Sequence, residues 1–445
     1  MGVDIQIFEA LIPGRFISFN IPIPDHTNIL RFAVLDSPIP PTGVPQVATL
    51  IVPKDRESDW IFCTESGNFQ LLFSSPGVSR LILIGKVPLE DPASVFVRYK
   101  YDKDQDAQYR RDVGISVETF LFTLIPKVVD KAATIPLLDF ADGVVSGVVL
   151  EVVVGARVGE MLVEDVELES VLEGSCINTT TKVREFMRRL RFKRMPNHVQ
   201  TMVRIDSLKV GKKVPDVGVL AQQYCIAMVA SLSVIEYCVE ERIRLGSKPR
   251  ALCLGVGGGT LLSFLRSKLG FEVEGAEMDE EVLRVGRKYF GLGDCETVKI
   301  HVGDAIEIVQ KLASGNNEFE VIMVDLNAWE PWTGTGAPPV EFLSRESLWA
   351  CRCLIRDYGI LVMNVITQSK SSSSYRALVQ DLGSVFDGLY EIDVGGEDNV
   401  VLIASTSTEP LPSPVADSHN SFRKKLRTVI AGEYLDSIKK IPCQS

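Results

Sequence analysis

Two rhythms of apolar and polar positions divide the chain. From about residue 15 to 215 the apolar runs are short and rich in β-branched and aromatic residues. Leu30 to Leu35, Val47 to Val52, Trp60 to Cys63, Phe69 to Phe73 and Leu81 to Ile84 read as strands. Pro38 to Pro41 with Gly43, Ser66-Gly67-Asn68 and Ser75-Pro76-Gly77 supply the turns between them. Further strands are predicted at Val95 to Tyr99, Val148 to Val154 and Val199 to Ile205, and the charged stretch Asp102 to Asp106 reads as a solvated loop. From about residue 218 helix and strand alternate. A long helix is expected over Val219 to Leu245. Strands follow at Ala251 to Gly255, Phe271 to Glu277, Val298 to Val302, Val321 to Asp325 and Ile360 to Val365. Helices fit between them at Leu261 to Leu269, Glu280 to Phe290, Ala305 to Leu312, Glu341 to Leu354 and Ser374 to Phe386. Two last strands, Glu391 to Val394 and Val400 to Ala404, have no helix between them. Buried parallel strands with crossover helices make a doubly wound α/β sheet, here ended by an antiparallel pair.

The expected organisation is a β-rich accessory domain over 1–215, the α/β domain over 216–406, and a linker with a C-terminal basic amphipathic helix over 407–445. The chain has 445 residues, 46% hydrophobic and 24% charged, which excludes wholesale disorder. The net charge of -11 argues against general binding to a nucleic-acid backbone. No apolar run approaches the roughly 18 residues of a spanning helix, so no membrane is expected. The nine cysteines are scattered and only four histidines are present, so no metal is expected and reduced cytoplasmic thiols fit best. The basic run Lys182 to Arg194 reads as a solvated face, with a contact for an acidic partner as the alternative.

The chemistry concentrates in the α/β region. A strand ends in Gly255-Val256-Gly257-Gly258-Gly259-Thr260 and a helix follows. Gly255, Gly257 and Gly259 permit a sharp turn and a close ligand, and the helix N-terminus faces that ligand. A dinucleotide fingerprint wants a further glycine where Thr260 stands. Glu277 ends the second strand, at the position of a ribose-binding acid; a helix N-terminal acid is the plainer reading. Asp304, followed by Ala305, comes after the third strand, placed either to accept from an adenine amino group or to cap the next helix. Together these residues point to an S-adenosyl ligand. The fourth strand delivers Asp325 to the same edge of the sheet. A carboxylate there can orient an amine and stabilise the positive charge formed on it during in-line displacement; capping the sheet edge is the simpler role. Trp329 and Trp332, in the loop beyond, either cover a substrate or simply pack.

Gly255-Val256-Gly257-Gly258-Gly259 with Cys253 in place of an acid, then Ala276-Glu277-Met278-Asp279 and Val302-Gly303-Asp304, resembles the spermidine-synthase-like branch of class I methyltransferases. Within it the chain is similar to the C-terminal half of the methyltransferase-like protein 13 family, the elongation factor 1A lysine and N-terminal methyltransferases. Val52 to Phe62, Glu65 to Leu71, Arg188 to Phe192 and Ala227 to Ala230 extend the likeness over most of residues 30–405. The resemblance implies a Rossmann-like fold and S-adenosylmethionine as donor, held by Gly255, Gly257, Gly259, Glu277, Asp304 and Ala305. It implies Asp325 as the catalytic group and a protein substrate in the cytoplasm, the N-terminal α-amine of elongation factor 1A. The family's separate lysine-methylating domain has no counterpart before residue 250, so the chain is expected to match the second half alone. Asn327 departs from the family by standing where an acid is expected, although Glu330-Pro331 supplies an acid-proline pair. Two alternatives remain: a non-catalytic scaffold with the same fold, and a polyamine aminopropyltransferase. The latter wants a Tyr-Gln-Glu run where Cys225-Ile226-Ala227 stand, and an acid at Ala328.

Overall fold

Leu81 and Leu83 pack to one face of their strand, Ile82 and Ile84 to the other, and all four are buried. A period-two pattern with no polar face belongs to a strand covered on both sides. The computed structural model describes residues 4–22, 29–41, 43–88, 99–129, 135–173, 180–207, 213–293, 298–328, 336–367, 370–395, 399–408, 421–430 and 433–442. It divides into two compact units, Met1–Val154 with Val158–Gln200, and Gly155–Arg157 with Thr201–Ser445.

The first unit begins with β1 (Phe16–Pro22), β2 (Ile29–Asp36), β3 (Gln46–Ile51), α1 (Trp60–Cys63), α2 (Glu65–Phe73), β4 (Val78–Lys86), β5 (Tyr99–Lys100), α3 (Lys103–Leu121) and β6 (Leu137–Leu138). One sheet has the order β1-β2-β4-β3-β6. Ile61, Phe62, Leu71 and Leu72 of α1 and α2 cover one face; Val113 and Val117 of α3 cover the other. The long strands β7 (Val144–Gly155), β8 (Gly159–Glu173), β9 (Thr180–Phe192) and β10 (Met195–Ser207) follow. β9, β8, β7 and β5 lie side by side in that order, and β10 continues into the second unit.

Three expectations are corrected here. Trp60 to Cys63 and Phe69 to Phe73 are helical, because short apolar runs suit a buried helical turn as well as a strand. Asp59 accepts from the Ile61 amide and Thr64 from the Gly67 amide, and these caps start both helices. Asp102 to Asp106 opens α3 instead of forming a loop. Asp102 accepts from the Asp104 and Gln105 amides, and Asp106 is buried, pairing with Arg110 at 2.7 Å. The centre of the basic run is not a solvated face either, although Arg184 stays half exposed. Arg188, Arg189 and Arg191 of β9 are buried, and the β8–β9 register sets Asp165 opposite Arg188 and Glu164 opposite Arg189. Arg191 bonds Glu164 at 2.6 Å and Asp59 at 2.9 Å. Burial alone would raise the Asp59 pKa, but Arg191 and Arg56 hold it far below the ordinary carboxylate range. Of the expected strand Val95 to Tyr99, residues 95–98 lie outside the described residues.

In the second unit β11 (Lys213–Pro215) pairs antiparallel with the end of β10. The helix expected over Val219 to Leu245 is two helices, α4 (Gln223–Ala230) and α5 (Glu236–Arg244), joined by a tighter turn over Ser231–Ile235. Ser231 Oγ donates to the Met228 carbonyl at the break, competing with the helical ladder. Then come β12 (Arg250–Leu254), α6 (Thr260–Phe264), β13 (Glu272–Glu277), α7 (Glu280–Val285), β14 (Val298–Val302), α8 (Ala305–Ala313), β15 (Phe319–Val324), α9 (Arg345–Leu354), β16 (Ile355–Ile366), α10 (Ser373–Gly383), β17 (Gly388–Asp393), β18 (Asn399–Ser405), α11 (Ser421–Val429), α12 (Glu433–Asp436) and β19 (Lys439–Lys440).

The sheet order is β14-β13-β12-β15-β16-β18-β17-β19. The first five strands are parallel, and β18 runs antiparallel to both β16 and β17. Ala251, Cys253, Val321, Met323, Ile360 and Val362 share one core with Met228, Val239, Leu262, Phe422 and Leu426. Leu252, Leu254, Ile322, Val324, Leu361 and Met363 share the other with Ile308, Leu348 and Leu378. Each such side chain contributes about 1.5–3 kcal/mol on full burial, so α11, which anchors Phe422 and Leu426, is part of the fold. Of the expected linker, residues 409–420 lie outside the described residues. No helix among the described residues is long and apolar enough to cross a membrane. The direction of chain progression reverses between β12 and β15, which opens a crevice at their carboxyl ends.

Candidate active site

The crevice is floored by the turn after β12. Gly255, Gly257 and Gly259 all have positive φ, at 85°, 54° and 82°. At Gly255 a Cβ would stand 2.1 Å from the Asp325 carbonyl oxygen, so the glycine lets the ends of β12 and β15 meet. Gly255 and Gly257 stay partly exposed, while Gly258 and Gly259 are buried. Gly258 donates to Thr201 Oγ1 at 2.8 Å, pinning the loop from β10.

Glu277, at the end of β13, is bound to the same loop. Its Oε2 accepts from Gly257 N at 2.9 Å and Val256 N at 3.2 Å; Oε1 accepts from Met278 N at 3.0 Å and Asp279 N at 3.3 Å. Burial raises its pKa, and the four amides oppose that rise. Glu277 is therefore a clamp on the glycine turn, with two shorter and two longer contacts. Its carbonyl accepts the Gly303 N–H at 2.9 Å, which sets Asp304 beside it. Asp304 Oδ1 caps α8, accepting from Ile306 N at 2.7 Å. Its Oδ2 has no hydrogen-bond partner among the described residues. Ala305 is the first residue of α8. Met278 and Val302 add apolar surface at this edge, 41% and 50% exposed.

Asp325 follows β15 and is fixed by its N–H to the Leu254 carbonyl at 2.8 Å. Asn364 Nδ2 of β16 donates to Oδ1 at 2.9 Å, and the Tyr224 hydroxyl of α4 donates to Oδ2 at 3.1 Å. Burial pushes the Asp325 pKa up, and the two donors pull it down. No cation pairs with it among the described residues. The contrast within the chain is plain: Asp36 has Arg80, Glu236 has Arg423, Glu274 has Arg250, and Glu320 has Arg242 and Arg356. A carboxylate held by neutral donors alone is suited to receive a cation or an amine from solution.

Asp325, the glycine turn and Glu277 thus meet at one edge, with Asp304 and Ala305 one strand further on. Trp329 and Trp332 lie outside the described residues. Cys253, in place of an acid, is buried beneath the site with its thiol pushed up to about 12 by burial. His301 is a strand residue bonded to Glu274 at 2.8 Å. Thr201, Gln222, Tyr224, Asn364, Asn399 and Met278 belong to this edge but were not singled out from the sequence. Gln222 and Tyr224 carried a faint signal, as polar residues at the start of an otherwise apolar helix.

The strand order with its antiparallel β18, and a glycine turn answered by an acid on the next strand, define the class I methyltransferase fold. No family model matches the sequence. The chain is 22% identical over 406 residues to the eEF1A lysine and N-terminal methyltransferase of Bos taurus, covering 84% of this chain and 53% of that protein. It is 25% identical over 409 residues to the Danio rerio protein of the same name, covering 85% and 54%. A crystal structure of human methyltransferase-like protein 13 in complex with SAH is similar at 23% identity and a TM-score of 0.42, covering 46% of this chain and 93% of that one. The chain is thus similar to the eEF1A lysine and N-terminal methyltransferases, and spans about half the length of the curated relatives it matches.

Proposed function

We propose that this chain is an S-adenosylmethionine-dependent protein methyltransferase acting on the N-terminal α-amine of elongation factor 1A. The observation that carries the proposal is Asp325: a partly buried carboxylate with two neutral donors and, among the described residues, no cation, next to the glycine turn. Bound S-adenosylmethionine supplies an electrophilic methyl group on a sulfonium. Gly255, Gly257 and Gly259 admit the ligand to the backbone, and Glu277 takes the ribose hydroxyls in exchange for its longer amide contacts. Met278 offers apolar surface to the base, and Asp304 with the Ala305 backbone meets the adenine edge. The unpartnered Oδ2 of Asp304 and the exposed Met278 support that fit.

Asp325 orients the incoming amine and stabilises the positive charge that grows on nitrogen. An α-amine, with a pKa of about 7.7–8.0, is partly neutral at cytoplasmic pH, whereas a lysine near 10.4 must first lose its proton. The relatives' names carry both activities, and this argument favours the α-amine. Aminopropyl transfer fits less well. Tyr224 is followed by Cys225, Ile226 and Ala227, neutral groups that give a polyamine's second ammonium no counter-charge. The cytoplasm is the compartment this substrate implies.

The test is to incubate the chain with methyl-labelled S-adenosylmethionine and a cell extract, then locate the label by peptide mass spectrometry. Label on the N-terminal residue of elongation factor 1A is expected. No label, or label on lysine side chains alone, would contradict the proposal.

A further inference from the structure

Two chains of hydrogen bonds reach Asp325, and the polarity of the first is set from its far end. The Met202 backbone N–H can only donate, and it gives its hydrogen to Gln222 Oε1 at 3.1 Å. The Gln222 amide then turns its NH2 toward Tyr224, whose hydroxyl oxygen accepts at 3.2 Å. The Tyr224 hydrogen is left for Asp325 Oδ2, at 3.1 Å. On the other side Asn399 Nδ2 donates to Asn364 Oδ1 at 2.8 Å, and Asn364 Nδ2 donates to Asp325 Oδ1 at 2.9 Å. Every hydrogen points toward the carboxylate. A proton on Asp325 Oδ2 would face the Tyr224 donor.

We infer that Tyr224, oriented by Gln222, is a positioning residue that keeps Asp325 ionised and fixed in direction for the acceptor amine. The titratable groups facing Asp325 are Tyr224 on α4, with Cys225 beside it, and Cys253 on β12; from β16 it meets the neutral Asn364. Burial and the Asp325 charge hold Tyr224 well above its ordinary value, and burial holds Cys253 up at about 12. These two groups stay neutral across the physiological range, so Tyr224 remains a donor there. Asp325 is therefore already a carboxylate when the neutral amine arrives, and it need not first give a proton to the protein.

The consequence for turnover rests on the methyl transfer proposed above, but the state of the carboxylate can be read without any substrate. The measurement is a pH titration of the Asp325 carboxyl carbon by 13C NMR, with its signal assigned by loss in Asp325→Asn. Tyr224→Phe removes one donor to the ionised form, so the midpoint is expected to rise by about one pH unit. Gln222→Met frees Tyr224 to turn away, and the midpoint is expected to rise by a smaller amount. With an amine acceptor, Tyr224→Phe is expected to lower kcat about tenfold with cofactor affinity unchanged. An unshifted midpoint in folded Tyr224→Phe overturns the inference. If that variant fails to fold, an unshifted midpoint in Gln222→Met overturns it instead. Failure of methyl transfer in the unaltered chain would sink the proposed function and leave the titration result standing.

Discussion

Thr201 Oγ1 accepts the Gly258 N–H at 2.8 Å, and a Cβ on Gly258 would stand 2.6 Å from the Thr201 methyl carbon. The glycine turn is therefore held by its own helix and also by a side chain on β10, 57 residues earlier. Thr201→Val keeps the shape and removes the acceptor, leaving a buried N–H unpaired. The expected loss is about 1–3 kcal/mol of stability, with weaker cofactor binding. Denaturant unfolding and calorimetric titration check both, and full values for both would show that the loop holds itself.

Gly255 and Gly246 have similar positive φ, 85° and 75°, but different surroundings. A Cβ at Gly246 meets nothing within 4 Å among the described residues, whereas at Gly255 it meets the Asp325 carbonyl oxygen at 2.1 Å. Gly246→Ala should cost only the left-handed strain, about 1–2 kcal/mol. Gly255→Ala should cost more and abolish cofactor binding, because Asp325 must move. Equal melting temperatures for the two variants would contradict the close approach.

Glu277→Gln sets an NH2 group against backbone N–H donors that the carboxylate now satisfies. The variant is expected to lose about 1.5–3 kcal/mol, both in folding stability without ligand and in cofactor affinity. Thermal melts and calorimetry read the two separately. Unchanged cofactor affinity in a folded variant would remove the ribose assignment and leave Glu277 as a clamp alone.

These residues also mark what the sequence could and could not disclose. Gly255, Glu277, Asp304 and Asp325 each stand at the end of a strand with a local signature, so order along the chain was enough to mark them as candidates at one edge of the sheet. Thr201, Asn364 and Asn399 carry no such signature. They reach the site through strand pairing between distant segments, as when β18 lies against β16 and places Asn399 by Asn364. The same long-range pairing hid the state of Arg188, Arg189 and Arg191, whose acids lie on another strand. Trp60 to Cys63 misled for a local reason: four apolar residues carry no period, and only the caps Asp59 and Thr64 set them as helix.

The buried network in the first unit makes its stability pH-dependent. Glu164 and Asp59 are both held below their ordinary values despite burial, by Arg189 and Arg191 for the first and by Arg191 and Arg56 for the second. A depressed carboxylate contributes stability above its unfolded pKa, about 3.9 for Asp and 4.3 for Glu, and loses it as pH falls through the folded value. The melting temperature should therefore decline steadily below about pH 4. Arg191→Met leaves two buried acids short of a partner and should cost about 3–5 kcal/mol near neutral pH, with a flatter acid dependence. Parallel melting curves for variant and unaltered chain from neutral to acid pH would contradict this.

The most direct measurement compares methyl incorporation from labelled S-adenosylmethionine into elongation factor 1A with a free N-terminus and into the same protein acetylated there, using the unaltered chain and Asp325→Asn. The expected result is label on the free N-terminus alone, with most turnover lost in Asp325→Asn while its cofactor affinity is kept. Equal incorporation into the acetylated protein, or full turnover by Asp325→Asn, would contradict the account.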